Sequence, residues 1–278
     1  GTGTINFDQT GNQSLEVTTA TTTDGDVTLR NTGGNLNIGT VTSGGTNTAT
    51  LRTITSGDIT DQGSDTLTDV TGDSITLNAA SAIGGNTTAL EIEIDLGTTG
   101  TSALSLTSGG VGAAGDIYVA EKGDIVYASD TTIVTEIGST QTVRIRNRDA
   151  GFVIDDDDWP NTNDNLELRA TNDDGAANAA DNIVFNADRE IVITGGSNVE
   201  LETVQAVVGN GTANPDVVTT TGTLVIDAVT GVGDTNPLET TVTSVDIDNA
   251  TSGDIDIDET DGVTIVRAVE ATAGNIRV

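Results

Sequence analysis

Gly25-Asp26-Val27-Thr28-Leu29 and, nine residues on, Gly34-Asn35-Leu36-Asn37-Ile38 repeat one phrase: a glycine, an Asp or Asn, then apolar side chains at alternate positions. Each copy reads as a corner followed by a strand. Glycine supplies backbone angles that other residues resist, the Asp or Asn hydrogen-bonds its own backbone, and the period of two sends neighbouring side chains to opposite faces. The phrase returns as Gly57-Asp58-Ile59, Gly115-Asp116-Ile117-Tyr118-Val119, Gly123-Asp124-Ile125-Val126, Gly253-Asp254-Ile255-Asp256-Ile257 and Gly274-Asn275-Ile276-Arg277-Val278. A longer unit recurs too. Ile75-Thr76-Leu77-Asn78-Ala79 leads through Ile83-Gly84-Gly85 to Ala89-Leu90-Glu91, as Leu224-Val225-Ile226-Asp227-Ala228 leads through Val232-Gly233-Asp234 to Pro237-Leu238-Glu239. A third copy runs from Val199-Glu200-Leu201 through Val207-Val208-Gly209 to Pro215-Asp216-Val217.

Composition agrees with strands around a narrow core. Aromatics are 2% of the 278 residues, so the interior must be built from Val, Ile, Leu and Ala, and only three prolines interrupt it. No long segment repeats apolar residues at helical spacing, so helix is not expected. Short strands with regular turns would also suit an antiparallel sandwich. The recurring Gly-Asp corner, the shortage of aromatic side chains and the absence of cysteine favour an all-β parallel β-helix, or β-solenoid, instead. Two or three strands per coil predict coils of about 20–25 residues and on the order of 11–14 coils. The whole of 1–278 reads as one continuous repeat region with an acidic loop inserted near 155–165. Gly1 to Phe7 starts in mid-pattern and Gly274 to Val278 stops in mid-strand, so the region is expected to be uncapped, continuing in both directions or stacking on copies of itself.

The formal net charge is -33, from 43 acidic against 10 basic residues. Such a field repels nucleic acid and anionic lipid, leaves cations or a basic surface as natural counterparts, and keeps a Thr-rich β-structure from pairing side by side. Without His or Cys, most triads, activated nucleophiles and thiol metal sites are excluded. No apolar run approaches the length of a membrane span, so membrane insertion is not expected.

The phrases Gly72-Asp73-Ser74-Ile75-Thr76-Leu77-Asn78-Ala79-Ala80 with Ala82-Ile83-Gly84, and Thr230-Gly231-Val232-Gly233 with Asn236-Pro237-Leu238, resemble the repeats of filamentous-haemagglutinin-type and autotransporter-passenger exoproteins. The resemblance runs along nearly the whole chain. It implies a right-handed parallel β-helix in a large secreted bacterial adhesin at the cell surface, and it speaks to fold and secretion class more than to a receptor.

Four aspartates in a row, Asp155, Asp156, Asp157 and Asp158, followed by Trp159 and, after Asn161 and Asn163, by Asp164, offer the hard oxygen ligands that calcium takes. The spacing departs from the EF-hand pattern, and a solvated loop is the commoner reading of such a run. Trp159 could contact a glycan or protein partner, or fold back over a coil. The loop from Asn172-Asp173-Asp174-Gly175 to Asp181-Asn182 carries the same two readings. Glu91 with Glu93, and Asp254 with Asp256 and Asp258, would align on an outward face as a glycosidase acid pair requires, but solubilising acids at period two are far more common and sugar-binding aromatic platforms are missing. Arg144, Arg146 and Arg148 form a basic stripe expected to pair with acids on neighbouring coils. The resulting expectation is a structural or adhesive rod or filament, not an enzyme, with itself and a surface glycan or protein as partners. The alternatives are a calcium-dependent adhesive module and, less favoured, a polysaccharide-acting β-helix enzyme.

Overall fold

The computed structural model describes residues 1–97, 103–109, 115–122, 125–127, 131–134, 140–148, 151–154, 164–171, 181–193 and 195–278. Among them every regular element is a strand and all strand pairs are parallel, and the fold is a β-solenoid of about ten turns. Its contacts divide into two compact units, residues 1–122 with 130–145 and residues 123–129 with 146–278.

Three sheets wrap the first unit. The first face stacks Ile5–Gln9, Val27–Asn31, Thr48–Thr53, Ser74–Asn78, Leu104–Thr107 and Thr131–Val134. The second is made by the leading halves of Leu15–Thr21 and Leu36–Thr42, then Ile59–Asp61, and continues through bridges from Ile59 to Ile83 and from Ile83 to Ile117. The trailing halves of the same two long strands, with Val70–Gly72, Ile92–Leu96 and Ile117–Glu121, make the third. Alternation then fills the interior. On the first face Leu29, Leu51, Leu77, Leu106 and Ile133 lie in register on five successive rungs, all buried, while Thr28, Thr50 and Thr76 point outward. Burying one such side chain is worth about 1.5–3 kcal/mol, so a ladder that repeats it on every rung can hold a slim core without aromatic residues.

The second unit has the same three-face order. Asn165–Ala170, Val199–Thr203, the far halves of Val217–Ala228 and Leu238–Asn249, and Thr264–Glu270 form its first face. Its second runs Ile125–Tyr127, Phe152–Ile154, Ile183–Phe185, Val207–Val208, Val232, Ile255 and Ile276. The third holds Ile191–Ile193, the near halves of Val217–Ala228 and Leu238–Asn249, and the end of Ile255–Glu259. Ile75 and Leu224 thus occupy first faces, and Ile83 and Val232 are single-residue bridges on second faces, as the longer sequence repeat requires.

Coil length varies with the loops. Ile5 pairs with Val27 after 22 residues and Val245 with Ile265 after 20, but Ile83 pairs with Ile117 only after 34. Insertions of this kind make fewer, longer coils than the even spacing predicted.

The corner chemistry also differs from expectation. The Asp or Asn after the corner glycine bonds the next rung rather than its own backbone. Asn35 Oδ1 accepts from Asp58 N at 3.0 Å and Asp58 Oδ1 from Ala82 N at 3.0 Å. Asp26 accepts from Thr48 N, Asp116 from Thr142 N and Asp254 from Asn275 N in the same way. Where the chain turns, the backbone ladder lapses and an N–H of the following coil needs an acceptor, which the short carboxyl or amide supplies. A second set of side chains closes each corner from within. Asn31 Nδ2 donates to the carbonyls of Gly34 and Asn35, Thr53 Oγ1 to Gly57, Asn147 Nδ2 to Gly151 and Asn249 Nδ2 to Ser252.

Candidate functional site

The strongest concentration of unusual chemistry lies on the third faces. In the first unit Asp69 immediately precedes Val70–Gly72, whose register with Ile92–Leu96 sets it beside Glu93. Asp69 N donates to Glu93 O at 2.8 Å, and Glu93 N donates back to Asp69 Oδ2 at 2.9 Å. Asp61, at the other end of the intervening loop, hydrogen-bonds the Asp69 carboxyl and binds the loop's own N–H groups, Gly63 at 2.7 Å and Asp65 at 3.0 Å. Asp69 is buried. Loss of water, reinforced by the charges of Asp61 and Glu93 and opposed by the Glu93 N–H, pushes its carboxyl up to about 9.

The second unit repeats the arrangement with Asp216 and Glu239. Asp216 N donates to Glu239 O at 2.6 Å, Glu239 N donates to Asp216 Oδ2 at 3.0 Å, and Asn210 N donates to Asp216 Oδ1 at 3.0 Å. Asp216 has no exposed surface, and burial together with the Glu239 carboxyl pushes it up to about 8. Both aspartates are thus held toward their protonated form; Asp216 uses both carboxyl oxygens to close its loop, whereas beside Asp69 it is Asp61 that bonds the loop N–H groups. In this conformation neither aspartate faces solvent, so neither presents itself to a dissolved substrate.

Sequence reasoning missed both aspartates. The signal available was the phrase Asp-Val at the start of a strand, Asp69-Val70 and Asp216-Val217, preceded in each case by a polar loop. The longer repeat misled in one respect: it matches Glu91 to Glu239, whereas the counterpart of Glu239 in space is Glu93. From Ile83 to Glu93 is ten residues, from Val232 to Glu239 seven, because the turn after Ile83 is longer.

Of the predicted calcium ligands, Asp155, Asp156, Asp157 and Asp158 lie outside the described residues, as do Trp159 and residues 172–180. Asp164 is buried at the head of Asn165–Ala170. Among the described residues no group of three or more acidic side chains is placed to hold a metal ion. Glu91 and Glu93 differ from expectation: both are 1% exposed rather than facing water. The turn Gly84–Leu90 folds back tightly beside them, with Gly85 N bonded to Leu90 O at 2.7 Å, and Arg144 reaches to 3.8 Å from Glu91 while lying over the Tyr118 ring. For Arg144 this is a pairing between coils of the kind expected of the stripe Arg144, Arg146 and Arg148, and it is screened from water. Asp254, by contrast, is half-buried and bonded by Asn275, which lowers its carboxyl, and Asp256 pairs with Arg277.

The first face of the second unit is lined with charge among the described residues. Glu202, Asp227 and Asp248 share one outward column, and Glu167, Glu200 and Asp246 stand in the next. Arg169 contacts Glu167, Glu200 and Glu202, and Arg267 contacts Asp246 and Asp248. Partial burial and the Asp248 charge raise the Asp227 carboxyl.

Aliphatic ladders, corner bonds between rungs and charged outer columns define a parallel β-solenoid. No family model matches the chain, and neither a curated protein nor a solved structure does.

Proposed function

We propose that the chain is a structural or adhesive segment of a secreted bacterial cell-surface protein, a rod or filament element made by stacking coils outside the cell. The observation that supports this best is the division of labour within each rung. Aliphatic residues face inward on every coil and are joined by rung-to-rung hydrogen bonds. The outward columns of the second unit are dominated by carboxylates, as in Glu202, Asp227 and Asp248. A repeating interior extends a structure along one direction, while like charges on its flanks oppose lateral sheet pairing. Variable loops between corners are free to contact a glycan or protein partner, and coils of a neighbouring copy or of further chain are the natural stacking partner. The acidic field disfavours nucleic acid and anionic membranes.

Negative-stain imaging with sedimentation tests the reading. Rods that lengthen by about 4.8 Å per coil, single or joined end to end, agree with it. Compact particles of monomer mass would contradict it.

A further inference from the structure

Asp216 is a fully buried carboxyl in a column of its own kind. The register of Ile191–Ile193 on Val217–Ala228 sets Glu190 on the rung before it, and Glu239 and Asp258 follow on the next two. The loop it closes is tightly seated. A Cβ on Gly209 would meet Pro237 O at 2.0 Å and Asp216 Oδ2 at 2.9 Å, so backbone from two coils converges on this carboxyl. Asn210 gives it an N–H and also donates from Nδ2 to Arg189 O at 3.4 Å, while Asn214 reaches the Asp188 carboxylate at 2.9 Å. Of the positive groups, Arg189 precedes Glu190 on the rung before, and Arg277, engaged by Asp256, feels the charge of Glu239 on the other side.

We propose that Asp216 is a proton-operated latch: with its proton in place the loop from Asn210 to Pro215 stays closed over the third face of the second unit, and loss of the proton opens it. Once the proton has passed to solvent, Asp216 and Glu239 become adjacent carboxylates, one of them without access to water. Repulsion and lost hydration then favour moving the buried charge outward, and the cover in the way is the loop that the same carboxyl holds. The first unit supplies a related arrangement one step removed: Asp69, buried beside Glu93, is hydrogen-bonded to Asp61, and it is Asp61 that holds the N–H groups of Gly63 and Asp65 in the loop of residues 62–68, while Thr40 and Ala120 add no charge on the neighbouring rungs. The latch does not depend on the proposed surface role.

Hydrogen exchange read by mass spectrometry at about pH 6 and about pH 9, corrected for intrinsic exchange, tests it. A group that loses its proton over this range should cost the amides of 210–214 and 62–68 about tenfold or more in protection, since one pKa unit is a factor of ten. Val27–Asn31 serves as the strand that should not change. Asp216→Asn, which keeps the shape but cannot ionise, should remove the dependence at 210–214 and leave it at 62–68, and Asp69→Asn should do the reverse. Unchanged protection of both loops in the unmodified chain, which needs no variant to fold, would overturn the proposal. So would full dependence at 210–214 in Asp216→Asn.

Discussion

Asp69 and Glu93 exchange two hydrogen bonds across one rung, the Asp69 N–H to the Glu93 carbonyl at 2.8 Å and the Glu93 N–H to the Asp69 carboxyl at 2.9 Å. Asp216 and Glu239 make the same exchange in the other unit, at 2.6 and 3.0 Å. Two copies of one contact, separated by nearly 150 residues, tie a local backbone need to a titratable group.

That tie fixes the sign of the pH dependence. Both aspartates are raised from 3.8, to about 9 and about 8, and Asp227 and Glu259 are shifted in the same direction. Above about pH 4 the folded chain keeps protons that the unfolded chain has lost, so stability falls as pH rises and levels off only above about pH 9. Thermal unfolding followed by circular dichroism should show Tm declining steadily from pH 5 to pH 9, and the double variant Asp69→Asn/Asp216→Asn should flatten the decline. A Tm that climbs over that range would refute the assignment.

Two glycines separate strain from crowding. Gly57 sits at φ 105° with a would-be Cβ 2.1 Å from Gly34 O, whereas Gly262 sits at φ 111° with nothing within 4 Å. Gly262→Ala should cost about 1–3 kcal/mol of backbone strain alone. Gly57→Ala adds a clash between coils and should cost more, or prevent folding; equal losses in urea unfolding would show that the coils are not packed as described.

Much of the fold was legible because a solenoid repeats its instructions. Gly34-Asn35 and Gly57-Asp58 are corners with φ of 88° and 105° at the glycines, and Leu36, Ile38 and Ile59 are fully buried as alternation required. The partner of each corner Asp or Asn was not legible. Its neighbour lies some 23 residues away in sequence, as from Asn35 to Asp58, and a local pattern cannot tell a bond to its own turn from a bond to the next rung. For the same reason Glu91 and Glu93 read as exposed strand acids, although a turn and an arginine from a later coil cover them. Asp69 and Asp216 carried only the phrase Asp-Val after a polar loop, which does not single out a titrating group, since their chemistry comes from burial that only stacking creates.

Corner amides should be worth more than their size suggests. Asn249 is fully buried, with Nδ2 serving the carbonyls of Ser252 and Gly253 and Oδ1 accepting from Gly231 N. Asn249→Ala leaves three backbone groups unserved and should destabilise by about 1–3 kcal/mol, with Asn31→Ala close behind. Denaturant midpoints unchanged in both variants would remove the corner bonds from the account.

Arg169 sits among Glu167, Glu200 and Glu202 at 2.8–3.3 Å, all partly exposed. Arg169→Gln should cost about 1 kcal/mol or less in low salt, because solvent screens each pair. The loss should shrink as sodium chloride is added, and a loss indifferent to salt would point to packing instead.

The absence of native cysteine makes the register of the stacked strands directly measurable. Thr28 and Thr50 are paired on adjacent parallel rungs of the first face and both point outward. Neighbouring strands lie about 4.8 Å apart, within the span a disulfide bridges, while a partner two residues further along lies about 8 Å away. Thr28→Cys/Thr50→Cys should oxidise nearly completely in the folded chain, and Thr28→Cys/Arg52→Cys should not. The reverse outcome, or no bond in either variant, would contradict the parallel stack.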